Sequence, residues 1–139
     1  MTMTKSERIG RLMVLIASLA LTADGLLQLA SPPSMIEAMK HIGYPADAGP
    51  TLAILTFACA ALLALPGTSL AGAILTTGFL GGAIAVHVPG GGLFSPPQLI
   101  CFAIGAFVWV GQVLGDRRLK ALLGFENAVN RFGSLYAAD

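Results

Sequence analysis

The sequence predicts an all-α membrane protein, a bundle of four transmembrane helices with both termini in the cytoplasm. Three observations indicate this fold class. Of the 139 residues, 55% are hydrophobic and only 11% are charged, whereas a soluble domain carries about 25% charged residues. Long apolar segments alternate with breaks rich in Pro and Gly. Seven of the eight basic residues flank these segments on the side that the two termini share.

The apolar segments are long enough, or nearly so, to cross a bilayer as helices, which takes about 20 residues. They are too long and too uniform for barrel strands, which alternate polar and apolar residues over about 10 positions. A helix also satisfies its own backbone hydrogen bonds in lipid. The predicted spans of this single membrane domain, residues 1–139, are 12–30, 51–65, 69–88 and 98–114.

The segments between and around the spans predict further local structure. Thr4 and Glu7 have the spacing of a capping box at the start of the first helix. Residues 34–41 predict a short helix at the membrane interface in the first outer connection. In the cytoplasmic tail, 116–139, apolar residues within 119–136 have near-helical spacing, which indicates an amphipathic helix on the membrane surface. The alternative for this tail is a frayed segment.

The basic residues set the predicted orientation, because cytoplasmic flanks of transmembrane helices are enriched in Lys and Arg. Only Lys40 falls on the opposite side, and an even number of spans is what brings both termini together. A cleaved signal peptide is the alternative for the first segment, but the apolar run is long and no A-x-A site precedes Pro32. The basic residues on the cytoplasmic side are Lys5, Arg8, Arg11, Arg117, Arg118, Lys120 and Arg131.

Small residues predict where the helices contact one another. Helices in lipid associate by close packing and hydrogen bonds, without a hydrophobic driving force. Gly78 and Gly82 form a GxxxG pair in the third span, with Gly81 beside them, and Gly111 and Gly115 form a second pair in the fourth. These glycines could join helices within one bundle or between copies. The sequence favours internal packing.

Asp24 is the most informative polar residue, because a charged carboxylate deep in a span costs about 3 kcal/mol. Gln28 is one helical turn further on and shares its face. With the termini inside, His87 falls in the same outer half of the membrane, and Tyr44 in the outer connection could cover all three. The sequence therefore predicts a ligand pocket open to the outside, formed by Asp24, Gln28, Tyr44 and His87.

Each of these residues also has a structural interpretation. Asp24 could fix a helix contact, and a histidine such as His87 is common at the membrane interface. Cys59 and Cys101 lie at different depths and form no CxxC pair, so we expect neither a disulfide nor a metal site. No catalytic residue can be assigned, and a net charge of +1 gives no indication of a nucleic-acid partner.

The chain resembles the DoxX-like family of small bacterial four-helix membrane proteins over about residues 11–123. This resemblance implies a multi-pass protein of the bacterial inner membrane. Some relatives are linked to quinone-coupled sulfur oxidation or to defence against quinones and oxidants, which raises a quinone as cofactor. The family often has a glutamate where this chain has Thr56. The matching stretches are Ala23-Asp24-Gly25-Leu26-Leu27-Gln28-Leu29, Gly43-Tyr44-Pro45, Ala58-Cys59-Ala60-Ala61-Leu62-Leu63-Ala64-Leu65-Pro66, Gly78-Phe79-Leu80-Gly81-Gly82-Ala83-Ile84-Ala85-Val86-His87 and Asp116-Arg117-Arg118-Leu119.

Three functions are compatible with these observations. The first is a non-catalytic accessory or ligand-binding subunit in the lipid bilayer, with a partner membrane or redox protein or a second copy of itself. The second, by analogy with the family, is a quinone-linked oxidoreductase subunit that uses Asp24 and His87 for proton handling. The third is a small transporter or channel, which the lack of an inverted repeat and of a polar pore face disfavours.

Overall fold

The computed structural model describes residues 3–45, 47–91 and 94–124, and every regular element in these ranges is helical. This confirms the all-α class. The predicted apolar segments each lie within one helix apart from Leu65, which caps its helix, and the short helix predicted at 34–41 is present. The helices are α1 (Lys5–Ala30), α2 (Pro33–His41), α3 (Gly49–Ala64), α4 (Ser69–Gly91), α5 (Pro96–Gly115) and α6 (Arg117–Leu122).

Helix α1 begins two turns before its apolar segment because the predicted capping box forms. The Thr4 hydroxyl accepts a hydrogen bond from the Glu7 N–H at 3.3 Å, and the Glu7 carboxylate accepts one from the Thr4 N–H at 2.7 Å. The helix ends at Ser31, which adopts a left-handed conformation with φ 43°. Pro32 follows directly and prevents the helix from continuing.

The four long helices contact one another in the cyclic order α1, α3, α4, α5. Polar contacts connect neighbouring helices. The Ser18 hydroxyl of α1 donates to the Ala60 carbonyl of α3 at 2.8 Å. Gln112 of α5 donates to the Ser69 carbonyl of α4 at 2.9 Å, so Gln112 bridges two helices. The buried core comprises Val14, Ala17, Leu21, Cys59, Ala60, Leu63, Ala73 and Val108.

The outer surface of the bundle is strongly apolar, as a lipid-facing surface must be. Leu19, Ile54 and Phe102 expose 69%, 71% and 73% of their surface. Among the described residues, three helical segments are long and hydrophobic enough to cross a membrane, namely Lys5–Ala30, Ser69–Val88 and Pro96–Gly115. Helix α3 is apolar but shorter, with 16 residues. Together these helices fit an integral membrane protein.

The two predicted glycine pairs lie in different surroundings. Gly111 and Gly115 are at the crossing of α5 with α1, where a Cβ atom added to Gly10 would lie 2.6 Å from the Gly111 carbonyl oxygen. Around Gly78, Gly81 and Gly82, an added Cβ would meet no atom of the described chain within 4 Å. Gly78, Gly81 and Gly82 therefore face away from the bundle and do not pack within it, whereas Gly72 of the same helix does, since its added Cβ would lie 2.7 Å from the Leu62 carbonyl carbon. Contact between copies stays a prediction for the first three.

The start of α1 and the end of α5 lie together. Arg117 forms an ion pair with Glu7, and the Lys120 ammonium donates to the Ser6 hydroxyl at 3.0 Å. Asp116 caps α6 by accepting a hydrogen bond from the Arg118 N–H at 2.8 Å. The predicted amphipathic helix over 119–136 falls mostly outside the described residues, which end at 124.

Candidate ligand cavity

A cavity of about 640 Å³ lies at the end of the bundle where α1 finishes, beneath the short helix α2. All five helices from α1 to α5 contribute to its wall. This volume is within the range of about 300–1,000 Å³ that is typical of small-molecule sites. The wall is predominantly apolar, and its larger apolar side chains are Leu21, Met35, Met39, Ile42, Leu52, Leu55, Phe79, Leu80, Ile100 and Ile104.

The four residues predicted to form a pocket all line this one cavity. Asp24 and Gln28 come from α1, His87 from α4, and Tyr44 from the turn after α2. Gly43 makes that turn with φ +76°, and the Tyr44 N–H donates to the Met39 carbonyl at 2.8 Å. The structure thus brings together residues that are up to 63 positions apart in the chain, from Asp24 to His87. Their role in binding a ligand stays a prediction.

Asp24 and Gln28 form a hydrogen-bonded pair that extends to Thr56. The Gln28 side-chain amide donates to the Asp24 carboxylate and to the Thr56 hydroxyl, the latter at 3.3 Å. The Thr56 hydroxyl donates its own proton to the Leu52 carbonyl at 2.8 Å. The Thr56 hydroxyl can therefore only accept a hydrogen bond from Gln28, and so can the Asp24 carboxylate. The NH₂ group of the Gln28 side chain must point toward both of them.

The other end of this amide lacks a partner among the described residues. Gln28 is 95% buried, with an exposed fraction of 5%, and its Oε1 atom accepts no hydrogen bond there. A buried polar atom without a partner is unfavourable by about 1–3 kcal/mol. The Asp24 carboxylate beside it is also an acceptor. This corner of the cavity is therefore rich in acceptors and short of donors.

His87 adds a further acceptor. Its Nδ1 atom is 2.7 Å from the Ala83 carbonyl oxygen one turn earlier in α4. A carbonyl oxygen can only accept, so the proton resides on Nδ1, and in the neutral ring Nε2 carries a lone pair. Nε2 is then free to accept a hydrogen bond or to take up a proton.

The residues of this site lie within a region that matches a known family. A model of the DoxX-like family matches residues 12–111, more than half of the chain. The chain belongs to the DoxX-like family. The resemblance seen in the sequence motifs is thereby confirmed. The matched region includes every residue that lines the cavity described above, which is called the Asp24 cavity below. Comparison with curated proteins found no match, and neither did comparison with solved structures.

Thr56 has a role in this DoxX-like protein that the sequence did not indicate. In the sequence, Thr56 was notable only because the family often has a glutamate at this position. In the structure it is fully buried and orients Gln28, so the polar corner contains one carboxylate, one amide and one hydroxyl. The sequence gave no indication of this contact, because only the packing of α1 against α3 brings Thr56 close to Gln28.

The contribution of α2 was also missed, although a signal was present. Met35 and Met39 lie four residues apart, as does the pair Ala38 and Ile42, and all four side chains line the cavity. Residues at i and i+4 share a helix face. This spacing could have predicted that α2 presents an apolar face to the bundle and covers the pocket.

The described residues contain no group of three or more His, Cys, Asp or Glu side chains arranged to hold a metal ion. Cys101 lines the cavity and Cys59 is buried in the core, and both are free thiols.

Proposed function

We propose that this DoxX-like protein is a non-catalytic accessory subunit of the bacterial inner membrane that binds an apolar small molecule in the Asp24 cavity. The observation that carries the proposal is the convergence of Asp24, Gln28, Tyr44 and His87 on one apolar cavity. A few polar groups in an apolar pocket fix the orientation of a bound molecule.

The proposal includes a topology of four spans with both termini in the cytoplasm. The charge asymmetry supports it, since basic residues collect where α1 starts and α5 ends. Helix α3, with 16 residues, is about 24 Å long, which is shorter than a hydrocarbon core of about 30 Å. Local thinning of the bilayer accommodates such a mismatch at modest cost. In this topology the Asp24 cavity lies in the outer half of the membrane.

The chemistry of the cavity indicates the class of ligand. Asp24, the Oε1 atom of Gln28 and the Nε2 atom of His87 are acceptors, so the complementary ligand donates hydrogen bonds through a hydroxyl or amine. The apolar wall suits an aromatic ring or an alkyl chain. Ile100, which lines the cavity, is 60% exposed. The cavity therefore reaches the surface that faces lipid, and an apolar ligand can enter from the bilayer.

A quinone-linked oxidoreductase subunit is the second candidate, favoured by the presence of Asp24 and His87 in the same cavity. A quinol carries two hydroxyl donors, and its oxidation releases protons together with electrons. The carboxylate and the imidazole would accept the protons. The electrons would pass to a partner redox protein.

The proposal is tested by ligand binding to the purified protein in mild detergent. A long-chain alkylphenol should bind, and its methyl ether, which has no donor, should bind at least about tenfold more weakly, since a hydrogen bond to a charged group contributes about 1.5–3 kcal/mol. Asp24→Asn should weaken phenol binding by a similar factor. Glu37→Gln is the matched control, because Glu37 is an exposed carboxylate of α2 that does not line the cavity. Equal binding of phenol and ether would refute the proposal.

Native mass spectrometry of the same preparation separates the two candidates. A quinone or quinol that copurifies with the wild type and is lost in Asp24→Asn and His87→Ala supports the quinone-linked subunit. A bound non-redox amphiphile supports the accessory ligand-binding subunit.

A further inference from the structure

A second cavity lies at the opposite end of the bundle, where α1 begins and α5 ends. Its volume is about 560 Å³. It is bounded by α1, the turn between α3 and α4, the end of α5 and the start of α6. None of its lining residues belongs to the Asp24 cavity.

Two arginines line this cavity, Arg11 of α1 and Arg118 of α6. No other basic residue lines this wall, and within the described part of the chain the two guanidinium groups have no partner. Among the described residues, Arg117 is paired with Glu7 and Lys120 donates to Ser6, whereas no ion pair or hydrogen bond involves the guanidinium group of Arg11 or Arg118.

The acidic residue in the cavity does not neutralise these two arginines. Asp116 also lines the wall, but its carboxylate accepts the backbone N–H of Arg118 as the cap of α6. Two guanidinium groups and one carboxylate leave a net charge of +1 at the cavity. The guanidinium group binds phosphate through a planar, forked set of donors, so the complementary ligand is an anion of the phosphate class.

Apart from Ser69 and Gln112, which hydrogen-bond to each other, the rest of the wall is apolar. Leu15 and Leu70 line the cavity and expose 39% and 42% of their surface, while Val14 and Leu63 form its buried floor. A free anion would leave this apolar surface unused. An amphiphile with a phosphate head and acyl chains would contact both parts.

We infer that this cavity binds the phosphate head group of an anionic phospholipid. Arg11 and Arg118 hold the head group, and an acyl chain packs along Leu15 and Leu70. The proposed topology places this site in the inner leaflet, where a basic pocket between helices meets anionic lipid. Occupation of the site would link the start of α1 to α6 through the lipid.

The test is lipid titration of the full-length protein in detergent, read by native mass spectrometry and by thermal melting. The probes are phosphatidylglycerol, phosphatidylcholine with the same acyl chains, and inorganic phosphate. Phosphatidylglycerol should bind in preference and raise the melting temperature. From the contribution expected of one basic residue near anionic lipid, Arg11→Gln and Arg118→Gln should each weaken binding about fivefold, and the double variant about 25-fold.

Arg8→Gln is the matched control, because Arg8 lies one turn from Arg11 on α1, is exposed and does not line the cavity. It should bind phosphatidylglycerol as the wild type does. The double variant Arg11→Lys and Arg118→Lys keeps both charges but loses the forked donors, so its phosphatidylglycerol binding should fall between that of the wild type and that of the double glutamine variant. A folded lysine variant with this intermediate binding shows that the loss in the glutamine variants is not a folding defect.

Several results would overturn the inference. One is unchanged phosphatidylglycerol binding in the folded Arg11→Gln and Arg118→Gln double variant. Another is equal binding of phosphatidylcholine and phosphatidylglycerol. A third is an increase in melting temperature with inorganic phosphate that equals the effect of the lipid, which would mean that the site takes a free anion. Binding of alkylphenol in the Asp24 cavity should be the same in all these arginine variants, so the two sites are tested separately.

Discussion

Replacing Gly10 with alanine tests the packing that holds α1 against α5. A Cβ atom on residue 10 would lie 2.6 Å from the Gly111 carbonyl oxygen and 2.7 Å from the Gly115 Cα atom. Both are backbone atoms, which cannot rotate away as a flexible side chain would. The helices must therefore move apart, and they would lose packing along the whole contact.

The expected destabilisation combines two effects of opposite sign. Overpacking of a close contact typically destabilises by about 1–3 kcal/mol. Alanine in place of glycine within a helix stabilises by up to about 1 kcal/mol. The net loss for Gly10→Ala should be about 1–2 kcal/mol, which corresponds to a melting temperature lower by about 2–8 °C for a chain of this size.

Gly82→Ala is the matched control, since a Cβ atom on residue 82 meets nothing within 4 Å in the described chain. Its melting temperature in detergent, followed by circular dichroism, should equal that of the wild type or exceed it. If Gly10→Ala melted with the wild type while Gly82→Ala or Gly82→Leu melted lower, the assignment of the packing faces would be refuted.

Three further predictions concern individual contacts. Thr56→Val should lower stability by about 1 kcal/mol and weaken alkylphenol binding, because Gln28 loses the acceptor that orients it; Thr56→Ser should restore both, and wild-type behaviour of the valine variant would contradict the role given to Thr56. Ser18→Ala should lower stability by only about 0.6 kcal/mol, the average for a hydrogen bond between membrane helices, and a larger drop in melting temperature would indicate an additional contact. Glu7→Gln should lower the melting temperature slightly in dilute buffer, and this difference should disappear in about 1 M salt because screening removes the ion pair with Arg117. A difference that persists in high salt would show that the capping box, rather than the ion pair, is affected.

The helices were largely predictable from the sequence, because the signals that define them are local. The capping box of Thr4 and Glu7, the left-handed stop at Ser31 before Pro32 and the run of uniform apolar residues depend only on near neighbours. One helix end differs clearly from its predicted position. Helix α4 continues through Gly91, three residues beyond the predicted end, so Pro89 does not end it.

The faces by which the helices meet were not predictable in the same way. Gly78–Gly82 and Gly111–Gly115 have the same spacing, yet one pair faces out of the bundle and the other contacts Gly10. Spacing fixes which residues share a face, whereas the rotation of the helix depends on residues distant in the chain. Gly10 itself, whose added Cβ would clash with the backbone of α5, lies outside any GxxxG pair.

The residues of the pocket were predictable only in part. Asp24, Gln28, Tyr44 and His87 were assigned to one pocket from depth and orientation alone, and the structure places all four around one cavity. Thr56 and the methionines of α2 were not assigned to it. Their contribution depends on how α2 and α3 pack against α1, and a single sequence gives the depth of a residue more readily than its neighbours.

The most direct test of the proposed topology is labelling of single cysteines with a membrane-impermeant maleimide on intact cells. Cys59 and Cys101 would first be replaced with alanine, and a cysteine would then be introduced at exposed positions, Glu37→Cys on α2 or Ala121→Cys on α6. With four spans and both termini inside, the cysteine at 37 should react on intact cells, and the cysteine at 121 should react only after the cells are permeabilised. Reaction of both positions on intact cells would contradict the four-span bundle. Reaction of the cysteine at 121 alone would mean the inverted orientation and would contradict the placement of the Asp24 cavity in the outer half of the membrane.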